Sequence, residues 1–382
     1  MRRMSIVLLL LLTILLVLTS KTEPAVKIKK ARIYGVAEDG GRNHRVAAAN
    51  ARWELAADTN FNAVRSTVPW VPGQKNLNHR DQAAIRNSIQ AAETLGKTLI
   101  LTVFPWWETK TPATSAEQWD FVNFVGYLAK EFPEVRHWEI WNEPNLSQFV
   151  RPQFGPDGRN ISAKFYLRAL ARSYDRLKAA NPENIVIGGA LASTGKDDPW
   201  VEVKTTSPVV FIQKLGEAYR ASGRTRPVMD WFSIHPYGTN SSESPDTPHP
   251  NSTTIGFADY PKLVALLGEA FNGTAQEGSA IPILYSEYGV DTIIPPEKLS
   301  AYKGSELPAT KPVAEDVQAA FYATALELTL RQPTVVGVIF IHTVDEKELD
   351  RWQSGIYYAD GTPKKSQPLL KEAIRKVEQG PN

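Results

Sequence analysis

The sequence predicts an α/β protein folded as a single (β/α)8 TIM barrel. Three observations lead there. After residue 30, short apolar runs alternate with amphipathic helical patterns eight times; the segments that follow the strands include long ones, whereas the helix-to-strand connections are short; and no Pro/Gly-rich linker divides the chain. Strictly alternating strand and helix over this length suits a closed parallel barrel rather than a doubly wound sheet.

Taken in order, the strands are "RIYGVA" (Arg32 to Ala37), "AVRSTV" (Ala63 to Val68), "TLILTVF" (Thr98 to Phe104), "HWEIW" (His137 to Trp141), "IVIGGA" (Ile185 to Ala190), "WFSIH" (Trp231 to His235), "ILYSE" (Ile283 to Glu287) and "VVGVIFIH" (Val335 to His342). Each is a short apolar run rich in β-branched and aromatic residues, as expected of strands covered on both faces. The helices are read over Val46 to Thr59, Gln82 to Leu95, Ser115 to Phe132, Ala163 to Ala180, Val209 to Ser222, Tyr260 to Asn272, Val313 to Arg331 and Gln367 to Glu378. In the fourth of these, Phe165, Leu170, Tyr174 and Leu177 recur on one broad face.

Composition excludes several classes. A chain of 382 residues with 42% hydrophobic content buries a large core, and 43 Lys plus Arg against 41 Asp plus Glu leave no basic footprint for nucleic acid. Six His and no Cys give no spacing that resembles a zinc site, so neither a metal nor another cofactor is expected. Nothing in the composition asks for a partner chain, and a monomer is expected. The content of aromatic residues, with ten Trp, suits a surface that stacks on flat ligands.

The N-terminus is expected to be a targeting segment over residues 1–25, with the barrel over 26–382. Arg2 and Arg3 precede the apolar run "IVLLLLLTILLVL" from Ile6 to Leu18, which has the length of a signal-peptide core and predicts export. No A-x-A precedes "KTEPAVKIKK", so residues 4–20 also suit an uncleaved anchor that would attach the protein to a membrane at the cell surface. Without cysteine there is no disulfide to staple an exported fold. Sequons at Asn145, Asn160, Asn240, Asn251 and Asn272 would matter only in a host that glycosylates exported chains.

The long post-strand segments are assigned to strands one, five and six, the last including "GTNSSESPDTPHPNSTT". In a parallel barrel such loops gather on the C-terminal face, where active sites are built. Side-chain alternation along strand four puts Glu139, Trp141 and Glu143 on the barrel side, with Glu143 alone at the C-terminal lip and Glu139 buried mid-strand among partners. Asn142 beside it offers an acceptor and two donors, which suits a sugar hydroxyl. A second carboxylate, Glu287, ends strand seven just before Gly289. Strands four and seven face each other across a closed barrel, and paired carboxylates across its mouth suit glycosidic bond hydrolysis. An Arg at the end of an apolar barrel strand, Arg65, has to meet an anion, for which Glu287 is the best candidate. His235 alone would be ordinary structure, but it sits two residues before Tyr237 at the same lip.

"WNEPN" on strand four, "SEYG" on strand seven, "HPY" at the end of strand six and Arg65 in "VRSTVPW" together resemble the clan A retaining glycoside hydrolases, in particular cellulase-like family 5 and family 39. The resemblance spans nearly the whole chain after residue 30. It implies a retaining β-glycosidase acting on a β-linked oligo- or polysaccharide, with Glu143 as general acid/base and Glu287 as nucleophile. By the same resemblance, Asn142 would hold the 2-hydroxyl of the sugar being cleaved, Tyr237 would donate to the nucleophile with His235 close by, and Arg65 would keep Glu287 ionised. Physical chemistry asks for the same asymmetry, because a nucleophile needs a cation and donors around its charged form while an acid needs the opposite.

Around this centre, Trp70 after strand two, Trp106 and Trp107 in "FPWW" after strand three, and Trp352 after strand eight are candidate sugar platforms, each equally suited to a core. Many family-5-like enzymes end strand eight with a Trp that stacks on the sugar; here His342 stands in that place. Either Trp352 folds back to replace the ring, or His342 and Asp345 make polar contacts with the substrate instead. Two readings compete with hydrolysis: a catalytically idle barrel that binds polysaccharide, and a transglycosylase that uses the same residues.

Overall fold

The computed structural model describes residues 32–105, 111–112 and 114–379. Trp106, Trp107 and the expected N-terminal targeting segment, with its apolar run 6–18, lie outside the described residues. Eight parallel strands close on themselves in chain order: β1 (Ile33–Ala37), β2 (Ala63–Trp70), β3 (Thr98–Pro105), β4 (His137–Ile140), β5 (Ile185–Ala192), β6 (Trp231–His235), β7 (Ile283–Tyr288) and β8 (Val335–Ile341), with β8 pairing back onto β1. Between and after them run α1 (Val46–Asp58), α2 (His79–Leu95), α3 (Ser115–Glu131), α4 (Ser162–Ala180), α5 (Pro208–Ala221), α6 (Tyr260–Phe271), α7 (Glu315–Leu330) and α8 (Ser366–Gln379). The expected (β/α)8 barrel is therefore the observed fold. Among the described residues, no helix is long and apolar enough to cross a membrane.

Local chemistry sets the helix ends. Asn78 caps α2 by accepting from the Asp81 amide, and Gly96 closes it with φ at 62°. Thr114 and Glu117 form a reciprocal capping box on α3, and Ser207 followed by Pro208 starts α5. The buried face of α4 runs through Tyr166, Leu170, Ser173 and Leu177, whereas Phe165 and Tyr174 are its half-buried flanks.

Two apolar clusters divide the core. The large one packs the outer faces of the strands against the helices; the small one, which includes Ile33, Ala37, Ala63, Ile100, Ile187, Leu284 and Ile339, fills the barrel itself. The interior is narrow, so these residues are Ile, Leu and Ala rather than rings. Polar residues share the interior: Arg65, Thr102, Glu139 and Ser233 are all buried.

Three expectations are corrected here. Trp141 does not face the barrel: β4 ends at Ile140, Trp141 takes φ of +80°, and its ring packs outward between Phe121 and Phe165 with Nε1 donating to the Phe149 carbonyl. The segment after β1 is short (38–45), and those after β4 (141–161), β7 (289–314) and β8 (342–365) are long alongside those after β5 and β6. Trp70 is no platform. It is the last residue of β2, fully buried, set edge-on to Phe121 at 5.6 Å, and its Nε1 donates to the Gln74 carbonyl.

Two of the sequons are structural. The Asn145 amide is fully buried and donates to the carbonyls of Ala192, Thr194 and Thr206, and the Asn160 amide donates to the hydroxyls of Ser162 and Thr206. They tie the segment after β4 to the segment after β5.

Because Trp70 fills core volume, Trp70→Ala should lower unfolding free energy by about 3 to 5 kcal/mol, as for other buried Trp truncations. Equilibrium urea denaturation measures it; a loss under about 1 kcal/mol would return Trp70 to the candidate platforms.

Candidate active site at the C-terminal mouth of the barrel

The site begins with how β4 ends. Trp141 and Glu143 both have positive φ, +80° and +39°, so the alternation of a strand is abandoned after Ile140. The backbone crosses the lip instead, with the Trp141 amide on the Val103 carbonyl of β3 and the Glu143 amide on the Ala190 carbonyl of β5, at 2.9 and 2.8 Å. With Trp141 turned outward, the consecutive residues Asn142 and Glu143 both reach the mouth, which strict alternation forbids.

Strand β5 is shaped to receive this crossing. Its register with β6 shifts between Gly188 and Leu191, with Gly189 at φ +102° and Ala190 at +47°. A Cβ on Gly189 would stand 2.4 Å from the Ser233 carbonyl, so only glycine fits. The Tyr166 hydroxyl holds the bulge from outside, donating to the Ile140 carbonyl and accepting from the Gly189 amide.

Glu287 sits on β7, whose register with β8 shifts between Tyr285 and Tyr288. Arg65 donates to it from Nη1 at 2.8 Å, and the Tyr237 hydroxyl donates at 3.2 Å. Arg65 is only the third residue of β2, not its end, and its side chain spans the interior to three groups. Its Nε meets Glu139 at 2.6 Å and its Nη2 meets the Asn142 Oδ1 at 3.2 Å. The last contact directs the Asn142 amide nitrogen away from Arg65, leaving its donors for another partner. His235, fully buried, places Nδ1 3.0 Å from Glu143 and 3.4 Å from Glu287. Its Nε2 has no protein partner.

The two carboxylates are thus brought close. The ligand atoms of Glu143, His235 and Glu287 all lie within 4.8 Å of one another, and the two Glu side chains keep 17% and 13% of their surface exposed, so both open to the mouth. Two carboxylates and an imidazole are also a donor set for a divalent cation, but the cationic charge Glu287 needs is already supplied by Arg65.

Electrostatics distinguishes the groups. Burial pushes the Glu287 carboxyl up, but the charges of His235, Arg65 and His342 and the Arg65 hydrogen bond outweigh it and hold Glu287 below the usual carboxylate range. Burial likewise opposes ionisation of Glu139, and Arg65 and His235 again prevail, so it too is held low. Burial pushes the His235 imidazole down, yet Glu287 and Glu143 raise it above its ordinary value. Burial beside Glu287 and Glu143 keeps the Tyr237 phenol protonated, and hence a donor.

The outer shell is partly as expected. Trp352 is 37% exposed and stacks on Tyr237 with ring centroids 5.3 Å apart and planes at 23°, so the segment after β8 does fold back over the site. His342 follows β8, is lowered by burial, and has a buried Nδ1 without a protein partner. Asp345 does not serve the mouth. It is fully buried against Lys364 at 2.8 Å, accepting also from the Tyr302 hydroxyl and the Gly355 amide. Sequence reasoning left Glu139 as an inert buried group; the signal that it is more was an uncompensated acid two residues after a strand start, on the same face as Arg65. It also left aside Asp39, whose Oδ1 accepts from the Thr67 amide at the mouth.

No protein-family model and no curated protein matches the chain. Among solved structures it is similar to a family 39 glycoside hydrolase from Bacteroides cellulosilyticus, with 19% identity and a TM-score of 0.63 over 91% of this chain and 64% of that one. It is also similar to a GH5_18 enzyme from Streptomyces cattleya crystallised with Manβ1-4GlcNAc (14% identity, TM-score 0.62, 92% of this chain and 82% of that one). A glucosidase from Croceicoccus marinus gives 13% identity and a TM-score of 0.60 over 91% of this chain and 66% of that one. The two families that the sequence motifs resemble are therefore both represented among its structural neighbours, and the likeness at these identities is one of fold.

The His235 environment makes a pH prediction. A histidine raised by carboxylates stabilises the fold fully below its unfolded value of about 6.5, and that contribution is lost as pH rises through the folded value. Glu143→Gln and Glu287→Gln should each move the NMR titration of His235 to lower pH; an unmoved titration in both would contradict the contacts drawn here.

Proposed function

We propose that the protein is a retaining β-glycoside hydrolase, with Glu287 as nucleophile and Glu143 as general acid/base. The observation that carries this is the unequal treatment of two carboxylates that each bring an oxygen within 4.8 Å of the other's. Glu287 is gripped by a guanidinium and a phenol, while Glu143 meets only the His235 imidazole among these side chains. The separation supports double displacement: retaining enzymes hold their carboxyls about 5 to 5.5 Å apart, and inverting enzymes need about 6.5 to 9.5 Å to admit a water between.

In the first step Glu143 gives its proton to the glycosidic oxygen as the C1–O bond breaks, and a Glu287 oxygen bonds to C1. In the second, Glu143 takes a proton from water, the water oxygen bonds to C1, and Glu287 leaves as carboxylate. Asn142 presents its amide nitrogen to the 2-hydroxyl. Trp352 and Tyr237 form an aromatic wall for a sugar face. The substrate is a β-linked oligo- or polysaccharide, with no cofactor. The apolar run 6–18 supports export, with attachment through residues 4–20 if that segment is retained.

Hydrolysis of a panel of aryl β-glycosides and of polymeric glucans, mannans and xylans tests the reading, and activity on none would overturn it. With a sugar that is hydrolysed, the 2-deoxy-2-fluoro glycoside bearing a good leaving group should esterify Glu287, found by mass spectrometry on the peptide containing "LYSEYG". Labelling elsewhere, or inversion seen by NMR, removes the assignment.

Glu143→Ala should lose most activity on poor leaving groups, and azide should restore turnover of activated aryl glycosides. Trp352→Ala should raise KM by about 5- to 20-fold, the worth of one aromatic contact, with the barrel still folded. An unchanged KM would leave Trp352 a cover for Tyr237 alone.

A further inference from the structure

Glu139 is the buried group that the reaction above leaves unused. It lies mid-strand on β4, with none of its side chain exposed. One oxygen, Oε2, accepts from the Arg65 Nε at 2.6 Å and from the Thr102 hydroxyl at 2.7 Å. The other, Oε1, accepts from the Ser233 hydroxyl at 2.8 Å. Both oxygens are therefore taken up, and neither touches the mouth.

Two of these contacts, those of Arg65 and Ser233, lead on to the two reacting carboxylates. On one side, Arg65 held at Nε has its two terminal nitrogens aimed at Glu287 and at the Asn142 Oδ1. On the other, the Ser233 oxygen accepts from the Ala190 amide at 2.8 Å, and the Ala190 carbonyl accepts from the Glu143 amide at 2.8 Å. Ala190 is one of the two positive-φ residues of the β5 bulge, so the Ser233 contact holds the bend that carries Glu143.

We propose that Glu139 is a positioning residue for both reacting carboxylates, setting the place and charge of Glu287 through Arg65 and the backbone of Glu143 through Ser233 and the residue 190 bulge. The inference rests on the roles assigned to Glu143 and Glu287 above. Its electrostatic half follows from sharing. Arg65 divides one positive charge between two carboxylates, and Glu139 limits how tightly Glu287 is held. The other ionisable groups facing Glu287 are Glu143, His235, Tyr237 and His342. A nucleophile left alone with an undivided guanidinium would be a weaker base and more firmly bound, hence slower to attack.

Glu139→Gln separates charge from shape. The amide oxygen still accepts from Arg65 and Thr102, and the amide nitrogen faces Ser233, whose proton turns to the Gly188 carbonyl already 3.3 Å away. In wild type and E139Q labelled with 13C at the Glu carboxyls, the Glu287 resonance should titrate at lower pH in the variant. This readout needs no substrate, so it stands even if no glycoside is hydrolysed.

On a hydrolysed glycoside, the acidic limb of kcat/KM should move down with it and kcat fall by about 10- to 100-fold, the cost of misplacing reacting groups. Glu139→Asp, which keeps the charge but not the reach, should leave the titration near wild type and still lose kcat. Ser233→Ala should lower kcat without moving the Glu287 titration. An unmoved Glu287 titration in E139Q, or full kcat in both E139D and S233A at wild-type melting temperature, overturns the proposal; if E139Q does not fold, the latter pair decides it.

Discussion

A guanidinium inside a β-barrel is the constraint on which the rest of this site depends. Arg65 is 4% exposed, and burial opposes its charge; Glu139 and Glu287 reverse that and keep it firmly protonated. Removing Arg65 would leave two buried carboxylates without their cation, a larger cost than the ion pairs themselves gain. The interior is built around this: Ala63 and Ala37 leave width beside Arg65, and Thr102 and Ser233 supply hydroxyls to the acid that Arg65 does not fully satisfy. The mouth is thus ordered from below, by groups that no substrate reaches.

The unlike environments of Glu143 and Glu287 arise from unlike backbone. β7 is extended through Glu287, which brings the carboxylate inward onto Arg65. The chain beyond β4 turns through left-handed φ at Trp141 and Glu143, and the bulge in β5 meets it. Two strands that end differently therefore deliver the same residue type to one small volume with different neighbours. Trp141, locked among Phe121 and Phe165, is the anchor of that turn on the helix side.

Most of the fold and the placing of two acids at the mouth were legible in the sequence because they depend on local pattern: apolar runs mark strands covered on both faces, and an acid at the end of such a run has few places to be but the lip. Arg65 reaching Glu287 was legible as a charge needing a partner. What was not legible depends on backbone geometry or on distant pairing. Alternation predicted Trp141 on the barrel side and failed where φ changed sign. Trp70 follows an apolar run as a platform would, and only its packing against Phe121 reveals a core ring. Asp345 looked available for substrate because nothing local announces Lys364, which is buried with it in irregular chain. The lengths of the segments after β4, β7 and β8 were missed for a similar reason, since their isolated bridges and buried polar contacts do not repeat with any period.

The amides of Asn145, buried, and Asn160, half-buried, bear on how the protein can be made. Each lies in a sequon, and each donates its amide nitrogen into the seam between two loops, where a glycan has no room. Glycosylating machinery acts on the chain while it is still unfolded, before that seam exists. A secretory host that attaches sugar there would yield chains that cannot close the loops over Glu143, whereas Asn251 and Asn272 are exposed and would carry a glycan harmlessly. A host without that machinery keeps both amides, and Ser147→Ala deletes the Asn145 signal while keeping its amide.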